Sequence, residues 1–159
     1  MFSINDYVMH RIYGVLQIIG NEEMQFDGVI NTYYVCKAVF GKEKGMTLKI
    51  PMNRSEHLKP LITKEEADKI IKKINTFDMS WIPDSKHRIN KYDELLLAGN
   101  IQDLCAALNE LYVHKNLIKY TTKDKEFIEK AEKIVLGQFA IALNIPYDSV
   151  KDYIASNAV

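Results

Sequence analysis

"KPLITKEEADKIIKKINTF", residues 59–77, is where the sequence changes period. Before Pro60 the apolar residues alternate, and after it they recur at helical spacing. Thr63 and Glu66 form a capping-box pattern, in which hydroxyl and carboxylate each satisfy a backbone N–H of a first helical turn. Ala67, Ile70, Ile71, Ile74 and Phe77 then fall on one face. The chain therefore reads as α+β with two modules, first β and then all-α, divided between about 53 and 63.

Upstream, "YVMH", "GVLQIIG", "TYYVCKAVF" and "MTLKIPM" are rich in Val, Ile, Tyr and Thr and are separated by Gly, Asn and Lys clusters. In the last of these, Met46, Leu48, Ile50 and Met52 alternate with Thr47, Lys49 and Pro51, as a half-buried strand requires. Pro51 cannot donate to a ladder, so this strand is expected to end there or to lie on an edge. Strands this short and numerous predict a small antiparallel barrel of Tudor or SH3 type. Glu22-Glu23 falls in an expected hairpin.

Downstream, "SWIPDS" breaks the helical pattern after the first helix. A second helix runs from about Lys86, with Asp84 or Ser85 as its cap, carries Ile89, Tyr92, Leu95 and Leu96, and stops at Gly99. A third is expected to bury Ile101, Leu104, Leu108, Leu111 and Tyr112. A fourth follows Thr121-Thr122 and is apolar on every side through "IVLGQFAIAL", so its second half is expected at the centre of a helical bundle. Asn144 ends it, and a short last helix starts at Pro146.

Composition narrows the function. Lys plus Arg and Asp plus Glu are both 21 among 159 residues, so there is no global basic field for non-specific nucleic-acid binding. No apolar run has membrane-spanning length, and "MFSINDYV" lacks the layout of a signal peptide, so a cytoplasmic location is expected. Cys36 and Cys105 form no CxxC and read as small core residues. The seven glycines form no phosphate-cradling loop, and the histidines at 10, 57, 87 and 114 have no metal spacing. Glu65-Glu66 lies in a helix's first turn, where acids complement the dipole. Neither catalysis nor a cofactor or metal is expected.

The helix starts carry more information. Lys86, His87 and Arg88 fall in the first turn of the second helix, and Lys123 and Lys125 in that of the fourth. Cations there oppose the macrodipole, yet free N–H groups beside cations also suit a phosphate. Asp84, His87, Arg88 and Lys91 share one face, which reads either as a solvated polar face or as a nucleic-acid contact. Trp81, the only tryptophan, is equally ambiguous. It reads either as a plug in the joint between two helices or as a flat wedge of the kind that enters base steps from the minor groove.

Three pieces of the chain are familiar in order and spacing. They are "FSINDYVMHRIYGVLQIIG", then "YYVCKAV" with "GMTLKIPM", then Trp81 with its basic helix, "LLLAGN" and "EKAEKIVLGQFAIAL". With these the chain resembles the CarD/CdnL family of bacterial RNA polymerase-binding transcription regulators, whose N-terminal module also occurs in transcription-repair coupling factors. The resemblance implies a Tudor-like polymerase-interacting domain over 1–56, bound to the β subunit, and an all-helical DNA-binding domain over 57–159. It implies a monomer that stabilises the open promoter complex, nucleoid-associated through the polymerase. Polymerase contacts would come from Tyr34, Thr47, Lys49 and Pro51. Trp81 would wedge into the minor groove at the upstream edge of the bubble, with Lys86, His87, Arg88, Lys91, Lys123 and Lys125 near phosphates.

The chain departs from the family pattern in four places. Asn5-Asp6 stands for Gly-Asp, and Tyr13-Gly14 for His-Gly. Glu22 to Gln25 is acidic or neutral where some members carry an arginine that contacts polymerase. "IPDSK" separates Trp81 from the basic pair. A second class of function is a protein adaptor of the transcription machinery without direct DNA contact. A third, a thiol enzyme, requires an accessible cysteine of low pKa.

Overall fold

The computed structural model describes all 159 residues, in two units, Met1–Leu61 and Ile62–Val159. The first is one antiparallel sheet of five strands in the order β4-β3-β2-β1-β5. The strands are β1 (Tyr7–His10), β2 (Gly14–Phe26), β3 (Val29–Ala38), β4 (Thr47–Pro51) and β5 (Leu58–Pro60). β4 and β5 are the two edges and do not pair, so the sheet is open where a closed barrel was expected. Pro51 ends β4, and β4 is an edge, as its missing N–H requires. The unit extends past residue 56 because β5 pairs with β1, Leu58 opposite His10.

β2 and β3 form a long hairpin whose turn is Asp27-Gly28, with Glu22 and Glu23 on its first strand. Both turn residues have positive φ, 48° and 76°, the type I′ geometry whose twist matches the strands and which Asp-Gly favours. Val8, Leu16, Ile18, Tyr34, Cys36, Ala38, Ile50 and Leu58 make one buried cluster, with Phe2, Tyr13, Met46, Leu48 and Met52 packed on it. Each full-size aliphatic side chain buried there contributes roughly 1.5–3 kcal/mol.

The second unit holds α1 (Lys64–Lys73), α2 (Ser85–Ala98), α3 (Ile101–His114), α4 (Thr122–Leu143) and α5 (Val150–Asn157). α1 opens on the full capping box, Thr63 Oγ1 accepting from Glu66 N and Glu66 Oε2 accepting from Thr63 N. Gly99, at φ 64°, and Asn144, at φ 54°, end α2 and α4 in the left-handed conformation. Every residue from Lys133 to Ala140 is buried, and α4 packs against α1, α2, α3 and α5. It is the centre of the unit, as its all-round apolarity requires. Tyr112 departs from expectation. It is 43% exposed, and its hydroxyl bonds Glu132, because a phenol can keep its polar end in water while its ring covers apolar surface. No helix is long and apolar enough to cross a membrane.

Candidate functional site

A bulge builds the outer face of the sheet. β2 carries one extra residue, Ile19, between the pairs Ile18–Cys36 and Gly20–Val35. Before it, Leu16 and Ile18 point into the core. After it, Gly20 and Glu22 share the outer side with their partners Val35 and Tyr33. Across β3, Val35 pairs with Lys49 and Tyr33 with Pro51. Glu22 and Lys49 therefore meet over β3, with Lys49 Nζ 3.0 Å from Glu22 Oε1. The acidic stretch that departs from the family pattern is thus the partner of the basic strand residue. Both side chains are nearly half exposed, so the pair is worth at most about 1 kcal/mol.

The four residues expected at polymerase do not share a face. Thr47 and Lys49 are exposed and Pro51 half-buried, all on the outer side. Tyr34 pairs with Ile50, points the other way, and is 2% exposed. Its hydroxyl accepts from Phe2 N at 3.2 Å, so it is a core residue that ties down the N-terminal segment. Tyr33 and Val35 occupy the outer face in its place. The alternation within "TYYVCKAVF" already distinguishes Tyr33 from Tyr34, once one knows that Cys36 faces inward.

In the second unit the joint at Trp81 is held from three helices. Asp84 caps α2, its Oδ2 accepting from His87 N at 3.0 Å. One turn in, Arg88 points inward and is only 5% exposed. Its Nε and Nη2 donate to the two carboxylate oxygens of Asp124, each at 2.9 Å. Its Nη1 donates to the carbonyls of Ile82 and Pro83 at 3.1 and 3.3 Å. The guanidinium carbon lies 4.9 Å from the centre of the Trp81 ring. His114, at the end of α3, stacks on the indole at 3.8 Å and 9°. Trp81 is half-buried, neither a sealed core plug nor a free wedge.

Asp124 has no remaining exposure and no spare valence. Besides the arginine fork it accepts from Tyr92 Oη at 2.5 Å and from Thr121 N and Oγ1 at 2.8 and 3.0 Å. Burial by itself would raise its carboxyl, but the hydrogen bonds from Arg88, Tyr92 and Thr121 outweigh burial and hold it well below the usual carboxylate range. Burial and the same carboxylate push the Tyr92 phenol up. Asp124 is also the N3 residue of α4's capping box. One carboxylate therefore caps α4 and locks α2 against it.

This lock brings the two basic helix starts together. Arg88 lies in the first turns of α2 and Asp124 in the first turn of α4, and Lys86, His87, Lys123 and Lys125 lie in the first turns of the same two helices. Lys86 and Lys125 are exposed and make no ion pair. His87 pairs with Asp84 at 3.2 Å, Lys91 with Glu94 at 3.4 Å, and Lys123 with Glu126 at 3.1 Å, all at the surface. Arg88 differs from the rest of the expected phosphate set. Its fork is engaged by Asp124, its Nη1 by two backbone carbonyls, and the side chain is buried, so it is poorly placed to reach a phosphate. The sequence marks Asp124 only as an acid three residues after a threonine cap, and its pairing with Arg88, 36 residues away, leaves no local signal.

The other chemistry-bearing residues are structural. Both cysteines are buried, and burial pushes the Cys36 thiol up to about 11 and that of Cys105 up to about 12. A thiol-enzyme reading has no accessible thiolate to rest on. Glu66 serves the capping box and Glu65 pairs with Lys69 at 3.2 Å. His10 Nδ1 accepts from the backbone N–H groups of Ile12 and Tyr13. No three His, Cys, Asp or Glu side chains converge as a metal set would.

Comparison with known families gives one result. Residues 2–62 match the CarD-like/TRCF RID domain. The match coincides with the first unit, which ends at Leu61. Domains of this family are regulatory and interact with RNA polymerase. No curated protein matches the chain.

Proposed function

We propose that the chain, whose residues 2–62 match the CarD-like/TRCF RID domain, binds the β subunit of RNA polymerase and stabilises the open promoter complex. The outer face of β3 and β4 serves as the polymerase contact. It presents Thr47, Lys49 and Pro51, on the edge strand β4, beside Val35 and Tyr33 of β3. The helical unit contacts promoter DNA at the upstream fork. Trp81 lies in the minor groove there, and Lys86, His87, Lys91, Lys123 and Lys125 lie near the backbone phosphates. Tethering to polymerase raises the local concentration of the helical unit, so an electroneutral chain needs no strong DNA affinity of its own. Binding the open complex more tightly than the closed one shifts that equilibrium without catalysis.

The observation that carries the reading is the joint itself. A half-buried indole sits in a non-helical segment, held by a buried arginine between two helix starts that carry exposed lysines. An ordinary core tryptophan needs no such setting. The test is open-complex lifetime with wild type and with Trp81→Ala, alongside capture of RNA polymerase by the intact chain. A shorter lifetime with unchanged polymerase capture supports the reading. An unchanged lifetime removes the DNA role.

A second reading is supported by the surface ion pairs. His87, Lys91 and Lys123 each have an acidic neighbour, which weakens the positive field a DNA contact requires. On this reading the helical unit is a protein adaptor. It predicts promoter association insensitive to salt, whereas phosphate contacts weaken steeply as salt rises.

A further inference from the structure

The geometry points to Asp124 as a positioning residue for Trp81, acting through Arg88. Trp81 lies in the stretch between residues 77 and 84, which has no regular secondary structure to fix a side chain. What fixes it is one guanidinium shared between two clients. One edge of the Arg88 fork is closed by both oxygens of Asp124, and the remaining nitrogen holds the carbonyls of Ile82 and Pro83, the two residues that follow the tryptophan. The same group lies against the indole at 4.9 Å. Removing the carboxylate would leave the arginine buried without a counter-charge. It would turn outward and release both carbonyls and the ring face.

Asp124 is suited to the task because it cannot move. Tyr92 and Thr121 occupy its other lone pairs, and the α4 capping box fixes its backbone. Arg88 is suited because a planar fork can bind a carboxylate in bidentate fashion while a third nitrogen reaches elsewhere, which a lysine ammonium cannot do. His114 completes the setting by stacking on the indole from α3. A ring held this way loses less conformational freedom when it inserts between bases. That consequence rests on the promoter reading, while the positioning itself does not.

Trp81 is the only tryptophan, so its fluorescence reports the positioning directly. The experiment compares Arg88→Lys, Asp124→Asn and Tyr92→Phe in the intact chain, by acrylamide quenching of Trp81 and by open-complex lifetime. Tyr92→Phe disturbs the same buried cluster but leaves the fork intact. Arg88→Lys and Asp124→Asn are expected to raise quenching, and Tyr92→Phe to leave it near wild type. Arg88→Lys is also expected to shorten the open-complex lifetime to that of Trp81→Ala, and to add nothing in the Trp81→Ala background. Unchanged quenching in Arg88→Lys overturns the proposal. So does equal quenching in all three variants, or an equal lifetime loss from Arg88→Lys with Trp81 already removed. If Trp81→Ala leaves lifetime unchanged, the promoter reading fails and quenching alone decides the positioning. If Asp124→Asn fails to fold, Arg88→Lys against Tyr92→Phe still decides it.

Discussion

Arg88 and Asp124, 36 residues apart, face each other as a bidentate pair with both N–O distances at 2.9 Å, and neither is more than 5% exposed. Taking both ions out of water is costly, and further hydrogen bonds offset that cost, from Arg88 Nη1 to two backbone carbonyls and from Tyr92 and Thr121 to Asp124. Its value is geometric. It sets α2 against α4 and thereby fixes where the Trp81 segment runs.

Breaking one side of this pair leaves a buried charge without a partner. Asp124→Ala is expected to destabilise the helical unit by about 3–5 kcal/mol. Tyr92→Phe removes one hydrogen bond to a charged group and is expected to cost about 1.5–3 kcal/mol. Urea unfolding followed by far-UV circular dichroism measures both. A smaller loss for Asp124→Ala than for Tyr92→Phe would contradict the assignment.

The same carboxylate makes the helical unit acid-sensitive. Its pKa is depressed in the fold, so the native state favours the ionised form. That contribution is complete above the unfolded value, near 4, and declines as pH falls below it. The urea midpoint of wild type is expected to drop below about pH 4, with a shallower dependence in Asp124→Asn. Parallel profiles for the two would show that other groups govern acid unfolding.

His10 gives the sheet a separate dependence nearer neutrality. Burial lowers its pKa, and the charges of His57 and Arg11 lower it further. The fold favours the neutral ring, whose Nδ1 accepts two backbone N–H groups. This contribution is present above the unfolded value, about 6.5, and is lost as pH falls through the folded one. An NMR titration of the His10 ring is expected to give a midpoint below about 6.5. A midpoint at or above that value would show the ring to be free.

Cys36 and Cys105 are expected to resist alkylation in the native protein at neutral pH, since burial keeps both thiols protonated, at about 11 and about 12. Both should react fully in denaturant. Rapid labelling of either in the native chain would revive the thiol-enzyme reading.

The Glu22–Lys49 pair separates stability from binding. Glu22→Gln is expected to change stability by less than about 1 kcal/mol, because both groups are solvent-screened. Lys49→Ala is expected to be equally mild for the fold but to weaken capture of RNA polymerase. Unchanged capture would move the polymerase contact off this face.

The period-2 and period-3.6 patterns, the cap at Thr63, the α2 cap to within Asp84 or Ser85, the α4 start at Thr121-Thr122, the stops at Gly99 and Asn144, and the end or edge position of the strand at Pro51 were legible in the sequence by itself. Each depends on residues within a few positions of one another, where backbone geometry admits few answers. The openness of the sheet, the bulge at Ile19 that turns Glu22 toward Lys49, and the inward side of Tyr34 were decided by the tertiary structure. So was the choice of Asp124 as the partner of Arg88. Local pattern marks Lys86, His87 and Arg88 alike as cations in an early helical turn. Which of them turns inward depends on a carboxylate that only the packing of α4 brings within 2.9 Å, and that contact makes the arginine next to Trp81 a brace for the ring instead of a hand for phosphate.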